Sequence, residues 1–241
     1  MVALVNGPWL RIAAVSWSPT QYVTGGELAA VLEPLKGASL LTLDQRALVD
    51  QLRGLPAVAD AQVEPLIPNG LAVSVTEKMP AYLWQTNAVR LVVARDGTVI
   101  GEIALRDQLN GRMARLPLID DRRRSSHDLS PGDRIPAGDA STALRLSAIA
   151  PALLGSTASG LQVHIDERCG FLVTPKERAG WSAALGFYPD GTASTSMVND
   201  QLAAIRTLLA AHRESTVNWV DARNPGKVYW RPNGLGGSDA C

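Results

Sequence analysis

The sequence predicts an α+β protein in which a βααββ module is followed by a larger β-rich module with packing helices. Three observations predict this class. Most of the chain alternates apolar and polar residues, as strands do, two early helical patterns have recognisable starts, and the chain closes on two short strands. A length of 241 residues suits one large domain or two smaller ones, and the change of pattern near residue 79 favours two.

The first module begins with a strand from Arg11 to Trp17. Thr24 is the expected N-cap of a first helix, because Glu27 stands three residues later, as in a capping box. Asp44 is the expected cap of a second helix, whose apolar stripe contains Leu48, Leu52 and Leu55. The alternating segments VADAQVEPL and LAVSVTEK flank IPNG, whose Asn-Gly pair predicts a hairpin turn.

The second module begins at Met79 with the strand-like segments AYLWQ, RLVVA and TVIGEI. Residues 106–139 are interpreted as loop-rich, with RRRSSHD as a solvated loop rather than a lipid or partner patch, because aspartates flank it. STALRLSAIAPALLG predicts a helix with Pro151 near its end, followed by strands LQVHI and GFLVT and a helix from Met197 to His212. Trp181 and Leu185 are expected in the core of this module.

The segment VNWVDARNPGKVYWRPNG predicts two short strands around an Asn-Pro-Gly turn. A last strand so near the chain end is expected to form a sheet edge, and open edges are either blunted or used to recruit a partner strand. Tyr229 and Trp230 should point to opposite faces of this strand, one inward and one to the partner. The candidate partner-binding residues are Val220, Asp221, Arg223, Asn224, Pro225, Gly226, Lys227, Val228, Tyr229 and Trp230.

Composition argues against several other functions. Basic and acidic residues number 23 each, so there is no basic stripe for nucleic acid. Cys169 and Cys241 form no metal-binding pattern, although a single disulfide is possible. The three histidines lie in a loop, in a strand at a surface position and at a helix end, where a histidine usually complements the helix dipole, and no catalytic motif accompanies them. We therefore expect no catalytic residue, cofactor, metal or small-molecule substrate.

The N-terminal segment MVALVNGPWLRIAAV is apolar but is interrupted by Asn6, Gly7, Pro8 and Arg11. It is shorter than the roughly 20 unbroken apolar residues of a spanning helix and lacks the features of a signal peptide. Taken literally, the chain is expected to be cytoplasmic and to cross no membrane, unless its beginning is missing.

A spaced pattern across the first module resembles the FtsQ/DivIB cell-division proteins and their polypeptide-transport-associated (POTRA) domain. The matching positions are Gly37, Leu40, Leu41, Asp44, Leu52, Leu55, Pro56, Val58, Ala61, Val63, Pro68, Leu71, Val73, Val75, Glu77, Pro80, Ala81 and Trp84. The resemblance continues through VVARDGTVI, LSPGD, WSAALG and VDARNPGKVYWR, from about Trp9 to Arg231. Ala222 and Asn224 depart from it, since family members often carry larger apolar or aromatic residues there.

The resemblance implies a residual membrane-proximal segment at 1–8, a POTRA domain at 9–78, an FtsQ-type β domain at 79–232 and a disordered tail at 233–241. It implies a non-enzymatic divisome scaffold that links membrane proteins of the FtsB/FtsL class outside the cytoplasmic membrane by β-strand addition. Family members have a transmembrane helix before the POTRA domain, so this chain would be the extracytoplasmic part of a single-pass protein. The alternatives are another envelope POTRA protein, for secretion or outer-membrane assembly, and a hydrolase, which a pocket of clustered ionisable residues would support.

Overall fold

A computed structural model describes residues 8–176, 180–188 and 195–233. The first module contains β1 (Ala14–Trp17), α1 (Gly25–Leu32), α2 (Gln45–Arg53), β2 (Val58–Leu66) and β3 (Gly70–Glu77). Its sheet has the order β1-β3-β2, with β1 parallel and β2 antiparallel to β3. The βααββ order is therefore confirmed. The expectations for residues 1–7, for residues 234–241 and for Cys241 fall outside the described residues.

Both helices of the first module start where the sequence predicts. The hydroxyl of Thr24 accepts the backbone N–H of Glu27 at 3.2 Å, and a Glu27 carboxylate oxygen accepts the N–H of Thr24 at 2.7 Å. A carboxylate oxygen of Asp44 accepts the N–H groups of Arg46 and Ala47, each at 3.0 Å. These bonds satisfy donors that the first helical turn leaves without an intrahelical acceptor.

The second module forms one mixed sheet of nine strands with the order β12-β11-β10-β9-β8-β7-β4-β5-β6. Its strands are β4 (Pro80–Gln85), β5 (Val89–Ala94), β6 (Val99–Ala104), β7 (Leu118–Asp121), β8 (Leu161–Asp166), β9 (Gly170–Pro175), β10 (Ser182–Gly186), β11 (Val217–Asp221) and β12 (Tyr229–Pro232). Helix α3 (Ala137–Ser147) joins the parallel strands β7 and β8, and α4 (Thr195–Ala211) joins the parallel strands β10 and β11. The described residues thus agree with the α+β class.

The loop-rich interpretation of residues 106–139 is wrong in its centre, because β7 lies there between β4 and β8. The solvated-loop interpretation of RRRSSHD is also wrong at Arg123, whose side chain is largely buried, and at Ser126, which is only 3 % exposed. Asp121 is only 1 % exposed and accepts hydrogen bonds from the indole of Trp84 at 3.2 Å and the guanidinium of Arg123 at 2.8 Å. Arg123 also donates to Asp139 at 2.7 Å, so one guanidinium bridges two carboxylates inside the fold.

The helix predicted from Ser141 onward begins earlier and ends earlier than expected. Helix α3 starts at Ala137 and stops at Ser147, and Pro151 opens a separate 3-10 turn, Pro151–Leu154. Proline lacks the N–H that would continue a helix but fits the first position of a new turn, which explains the break.

The nine-stranded sheet buries its two faces against different partners. Leu146 of α3 and Ile205 of α4 cover one face, in a cluster that includes Trp84, Trp181 and Leu185. The expected core positions of Trp181 and Leu185 are therefore confirmed. On the other face, residues of β4–β6 join a cluster with the first module, whose members include Leu28, Leu52, Leu71, Val73, Leu83, Val92, Ala94 and Ile100. The two sheets share this second core.

Polar contacts strengthen the junction between the modules. The ammonium of Lys78 lies 3.0 Å from a carboxylate oxygen of Asp96 and 3.1 Å from the hydroxyl of Thr98. Burial alone would raise the pKa of Asp96, but hydrogen bonds from Lys78 and Thr98 lower it to about 2.

Glu77 at the end of β3 accepts the N–H groups of residues 21–23 at 2.6–3.0 Å, which fixes the loop before α1.

We predict that Leu52→Ala destabilises the protein by about 2 to 5 kcal/mol, because Leu52 is fully buried in the shared core and the change leaves a cavity. Leu41→Ala is the matched control, since the same deletion at an exposed leucine should cost well under 1 kcal/mol. Urea denaturation of both variants checks this. Equal urea midpoints for Leu52→Ala and the parent would show that the apolar stripe of α2 is misplaced.

A second prediction concerns the ion pairs at β7. Arg123→Ala leaves the buried carboxylate of Asp121 without its cation, so we expect a loss of about 3 to 5 kcal/mol in unfolding free energy. The neighbouring Arg122→Ala is the control. Arg122 is half-exposed in its pair with Asp120, and removing such a pair typically costs about 1 kcal/mol or less. Similar losses in both variants would contradict the assignment.

Candidate partner-binding edge

Strand β12 forms one edge of the nine-stranded sheet and, among the described strands, pairs with β11 alone. The antiparallel register sets Trp230 opposite Val220 and Tyr229 opposite Asp221. In the turn between the strands, Asn224 accepts the N–H of Gly226 through its side chain at 3.1 Å and that of Lys227 through its carbonyl at 3.0 Å. The predicted hairpin and terminal edge strand are confirmed, although the strand begins at Tyr229 rather than Lys227.

The two aromatic residues of β12 face opposite sides of the sheet, as the alternation predicts. Trp230 is half-buried against the larger core, and its ring stacks on His212 with 4.0 Å between the ring centroids. Tyr229 is 58 % exposed on the other face, and the ammonium of Lys227 lies 5.4 Å from its ring centroid. Tyr229 is therefore the aromatic side chain available to a partner, and Trp230 anchors the strand.

A shallow cavity of about 310 Å³ lies on the exposed face beside Tyr229. Its lining residues are Trp219, Asp221, Tyr229, Trp230 and Arg231. The indole N–H of Trp219 is buried and finds no acceptor within the described part of the chain. Buried donors in native proteins are nearly always paired, so this one requires an explanation.

Asp221 and Arg223 hold the beginning of the turn. The carboxylate of Asp221 accepts the backbone N–H of Arg223 at 3.2 Å and its guanidinium Nε–H at 2.9 Å. The side-chain hydrogen bond from Arg223 is the main cause that lowers the pKa of Asp221. The stem of Arg223 also covers Gly186, where an added Cβ would lie 3.1 Å from the arginine Cγ, and where φ is +82°.

The main chain of β12 offers hydrogen-bonding groups on its open side. The N–H of Asn233 donates to the carbonyl of Thr216 at 2.9 Å, toward β11. Successive residues of a strand direct their N–H and C=O groups to opposite sides. Since Asn233 bonds toward β11, the N–H and the C=O of Trp230, three positions earlier, point away from β11. Pro232 has no N–H to offer, as is usual for a proline in an edge strand.

Comparison with known proteins assigns the first module. Residues 10–78 match the family model described as POTRA domain, FtsQ-type. They are a POTRA domain of the FtsQ type. The chain is also similar to Cell division protein FtsQ of Bradyrhizobium diazoefficiens, with 33% identity over 117 residues, which are 48% of this chain and 33% of that protein. FtsQ of Streptomyces venezuelae is 34% identical over 82 residues, 34% of this chain and 30% of that protein.

These matches confirm the resemblance to the FtsQ/DivIB-type cell-division proteins. The aligned part of the chain spans about a third of the length of each relative. The POTRA match ends at residue 78, between β3 and β4, where the three-stranded sheet gives way to the nine-stranded sheet. Within the described ranges, no helix combines the length and apolar character that crossing a bilayer requires.

The ten candidate residues that follow the POTRA domain divide by exposure. Arg223, Asn224, Gly226, Lys227 and Tyr229 are exposed, and Asp221, Pro225, Val228 and Trp230 are partly buried. Val220 is fully buried in the core, so its side chain is left out of the proposed contact surface. Sequence reasoning missed Trp219 and Arg231 in the cavity and His212 beneath Trp230. Trp219 and Arg231 lie two positions from Asp221 and Tyr229, respectively, so strand alternation could have placed all four on the same face. Nothing in the sequence indicated the contact of His212 with Trp230.

The three histidines of the chain lie at separate places. His127 bonds Asn87 at 2.9 Å, and His212 stacks on Trp230, a contact that the helix-dipole interpretation did not include. His164 was expected at the surface but is largely buried. Its Nδ1 lies 2.9 Å from Asp120 and its Nε2 lies 3.1 Å from Thr174. Burial alone would raise the pKa of Asp120, yet its bonds to His164 and Arg122 lower it.

The Asp120–His164–Thr174 arrangement resembles a catalytic triad in its order of contacts but not in its surroundings. The three residues occupy β7, β8 and β9, and β8 is paired on both sides. Its N–H groups are engaged in the sheet, so they cannot form the oxyanion-binding donors that acyl transfer requires. In addition, residues 8–176, 180–188 and 195–233 present no group of three or more metal-ligating side chains. The hydrolase alternative thus gains no support from this cluster.

The division of roles within β12 gives a stability prediction. Tyr229→Ala should leave the unfolding free energy within about 0.5 kcal/mol of the parent, because its side chain is exposed. Trp230→Ala should lower it by about 1 to 3 kcal/mol, because the indole covers the core and stacks on His212. Chemical denaturation of the two variants measures this. The reverse order of effects would mean that the faces of β12 are misassigned.

Proposed function

We propose that this chain is the extracytoplasmic part of a bacterial divisome protein that acts as a non-enzymatic scaffold between cell-division membrane proteins. The FtsQ-type POTRA domain and the similarity to two FtsQ proteins support the cell-division role. The observation that carries the scaffold role is the edge strand β12, whose outer main-chain groups pair with no other described strand and lie beside the exposed ring of Tyr229.

In this proposal the chain works as two docked domains, residues 9–78 and residues 79–232. The shared core beneath β4–β6 supports docking, because separating the domains would expose Leu83, Val92 and Ile100 to water. The ion pair between Lys78 and Asp96 lies at the same junction. A rigid connection would hold the partner-binding edge at a fixed distance from the POTRA domain.

Strand addition suits the chemistry of β12. An extended partner segment can donate to and accept from the main chain of Trp230, and these bonds supply affinity without regard to side-chain identity. Tyr229 then provides the aromatic anchor, since tyrosine is among the residues that dominate binding energy at interfaces. The cavity lined by Trp219 would receive a side chain of the added strand beside Tyr229.

We propose that the added strand comes from a divisome protein of the FtsB/FtsL class, which is the partner class that the resemblance implies. A membrane anchor ahead of the POTRA domain, which the resemblance also implies, would hold the chain at the outer side of the cytoplasmic membrane. Nucleic acid and small-molecule substrates have no part in this function.

The test is a calorimetric titration of the chain with the extracytoplasmic segment of an FtsB-class protein from the same organism. Tyr229→Ala should weaken binding about 30-fold, the equivalent of a hot spot of about 2 kcal/mol. Leu153→Ala is the control, because Leu153 is equally exposed but lies beside α4, away from the edge. The control should bind as the parent does.

Retained stability makes the result interpretable, so unfolding curves of both variants accompany the titration. Unchanged affinity in Tyr229→Ala would reject β12 as the partner site and direct attention to the POTRA domain. Equal weakening by Leu153→Ala would instead indicate that the partner contacts the helical face of the sheet.

A further inference from the structure

Four large apolar side chains are exposed at one end of the POTRA domain. Ile67 is 83 % exposed, Trp9 is 76 % exposed, and Leu41 and Leu66 are each about half exposed. Single exposed apolar residues are common on protein surfaces, but a group at one place usually marks an interaction site.

Backbone hydrogen bonds bring these residues to the same end. Leu66, Gly70 and Ala14 occupy one row across the three strands, and the N–H of Ala13 donates to the carbonyl of Asn69 at 2.8 Å. Ile67 lies in the hairpin tip between Leu66 and Asn69.

The other two members of the group join this end through the segment before β1. The N–H of Leu40 donates to the carbonyl of Leu10 at 2.9 Å, which places their neighbours Leu41 and Trp9 beside each other. Trp9 stands in a short 3-10 turn, Pro8–Leu10, that leads into β1. We call Trp9, Leu41, Leu66 and Ile67 the apolar tip.

The shape of the apolar tip favours a lipid surface over a protein groove. Ile67 and Trp9 stand at a hairpin tip and in a turn rather than along a strand edge or a groove, which are the places where a partner segment usually docks. Projecting aliphatic side chains can enter the boundary between headgroups and acyl chains, and tryptophan is enriched at that depth because its ring is amphipathic.

Two neighbouring features agree with this choice. Residues 1–5 of the sequence, which lead toward Trp9, are all apolar. Arg11 is exposed next to the apolar tip and donates to the carbonyl of Gly37 at 3.1 Å, which leaves further guanidinium N–H groups able to reach lipid phosphate. The opposite end of the domain carries the exposed ion pair of Arg53 with Asp60 at 2.7 Å.

We propose that the apolar tip of the POTRA domain inserts into the headgroup region of a phospholipid bilayer and orients the domain on the membrane. This contact goes beyond the scaffold function and does not depend on which partner binds β12. Because the insertion is mainly apolar, it requires phospholipid but little net charge on the vesicle.

Flotation of the full chain with vesicles of phosphatidylethanolamine and phosphatidylglycerol tests the proposal. The parent should float with vesicles, and 0.5 M NaCl should retain most of the binding, since salt screens charges but not apolar burial. Ile67→Ser should lower the partition coefficient about fivefold or more, because the variant loses a large apolar side chain at the surface. Ile67→Trp should raise it.

Leu153→Ser is the matched control, because it removes another exposed apolar side chain, 66 % exposed, from the other domain and should leave flotation unchanged. Melting curves exclude unfolding as a cause, and Ile67 is exposed enough for both changes to be tolerated. A parent that stays unbound, or an Ile67→Ser variant that floats as well as the parent, overturns the proposal. Concentration-dependent association of the parent without vesicles, abolished by Ile67→Ser, would assign the apolar tip to self-association instead.

Discussion

The burial of β4, β5 and β6 on both faces is the constraint on which the rest of the structure depends. Alternate residues of these strands enter two different cores, as Trp84 and Leu83 do. Strands buried on both sides have no polar face, which explains the nearly unbroken apolar runs LVVA and VIG in this part of the sequence. Among the described residues, the core shared with the POTRA domain lies under β4–β6 and reaches Leu118 of β7, whereas the edge strand β12 stands at the other end of the strand order.

Local signals in the sequence were sufficient for the POTRA domain. Thr24 with Glu27, Asp44, and the turn before Gly70 each depend on residues within a few positions, and the structure places all of them as the sequence predicts. The closing hairpin was equally readable, because Asn224 forms its turn through bonds to residues two and three positions later. Such features require no knowledge of distant contacts.

The second domain was less predictable because its polar residues are paired over long sequence distances. Asp121 lies in a strand, but composition alone presents it as part of a charged loop. Its indole partner Trp84 lies 37 positions away in the sequence, and Asp139, which shares Arg123 with it, lies 16 positions from that arginine. His164 appeared to be a surface residue, and only the approach of β7 and β9 shows that Asp120 and Thr174 enclose it. In β12, sequence alternation predicted that Tyr229 and Trp230 point to opposite faces, but it did not show which of them points inward. The structure shows that Trp230 does, because its ring stacks on His212, which follows α4.

Pro232 in the edge strand has a consequence for crowding. A strand added to β12 loses a main-chain donor at that residue, so pairing with a second copy of the same edge would be interrupted at each Pro232. Proteins gathered at one site in a cell reach local concentrations at which open edges tend to polymerise into continuous sheets. An edge that pairs over two or three residues and then fails can recruit a short segment of a different protein while resisting growth of its own kind into a fibre.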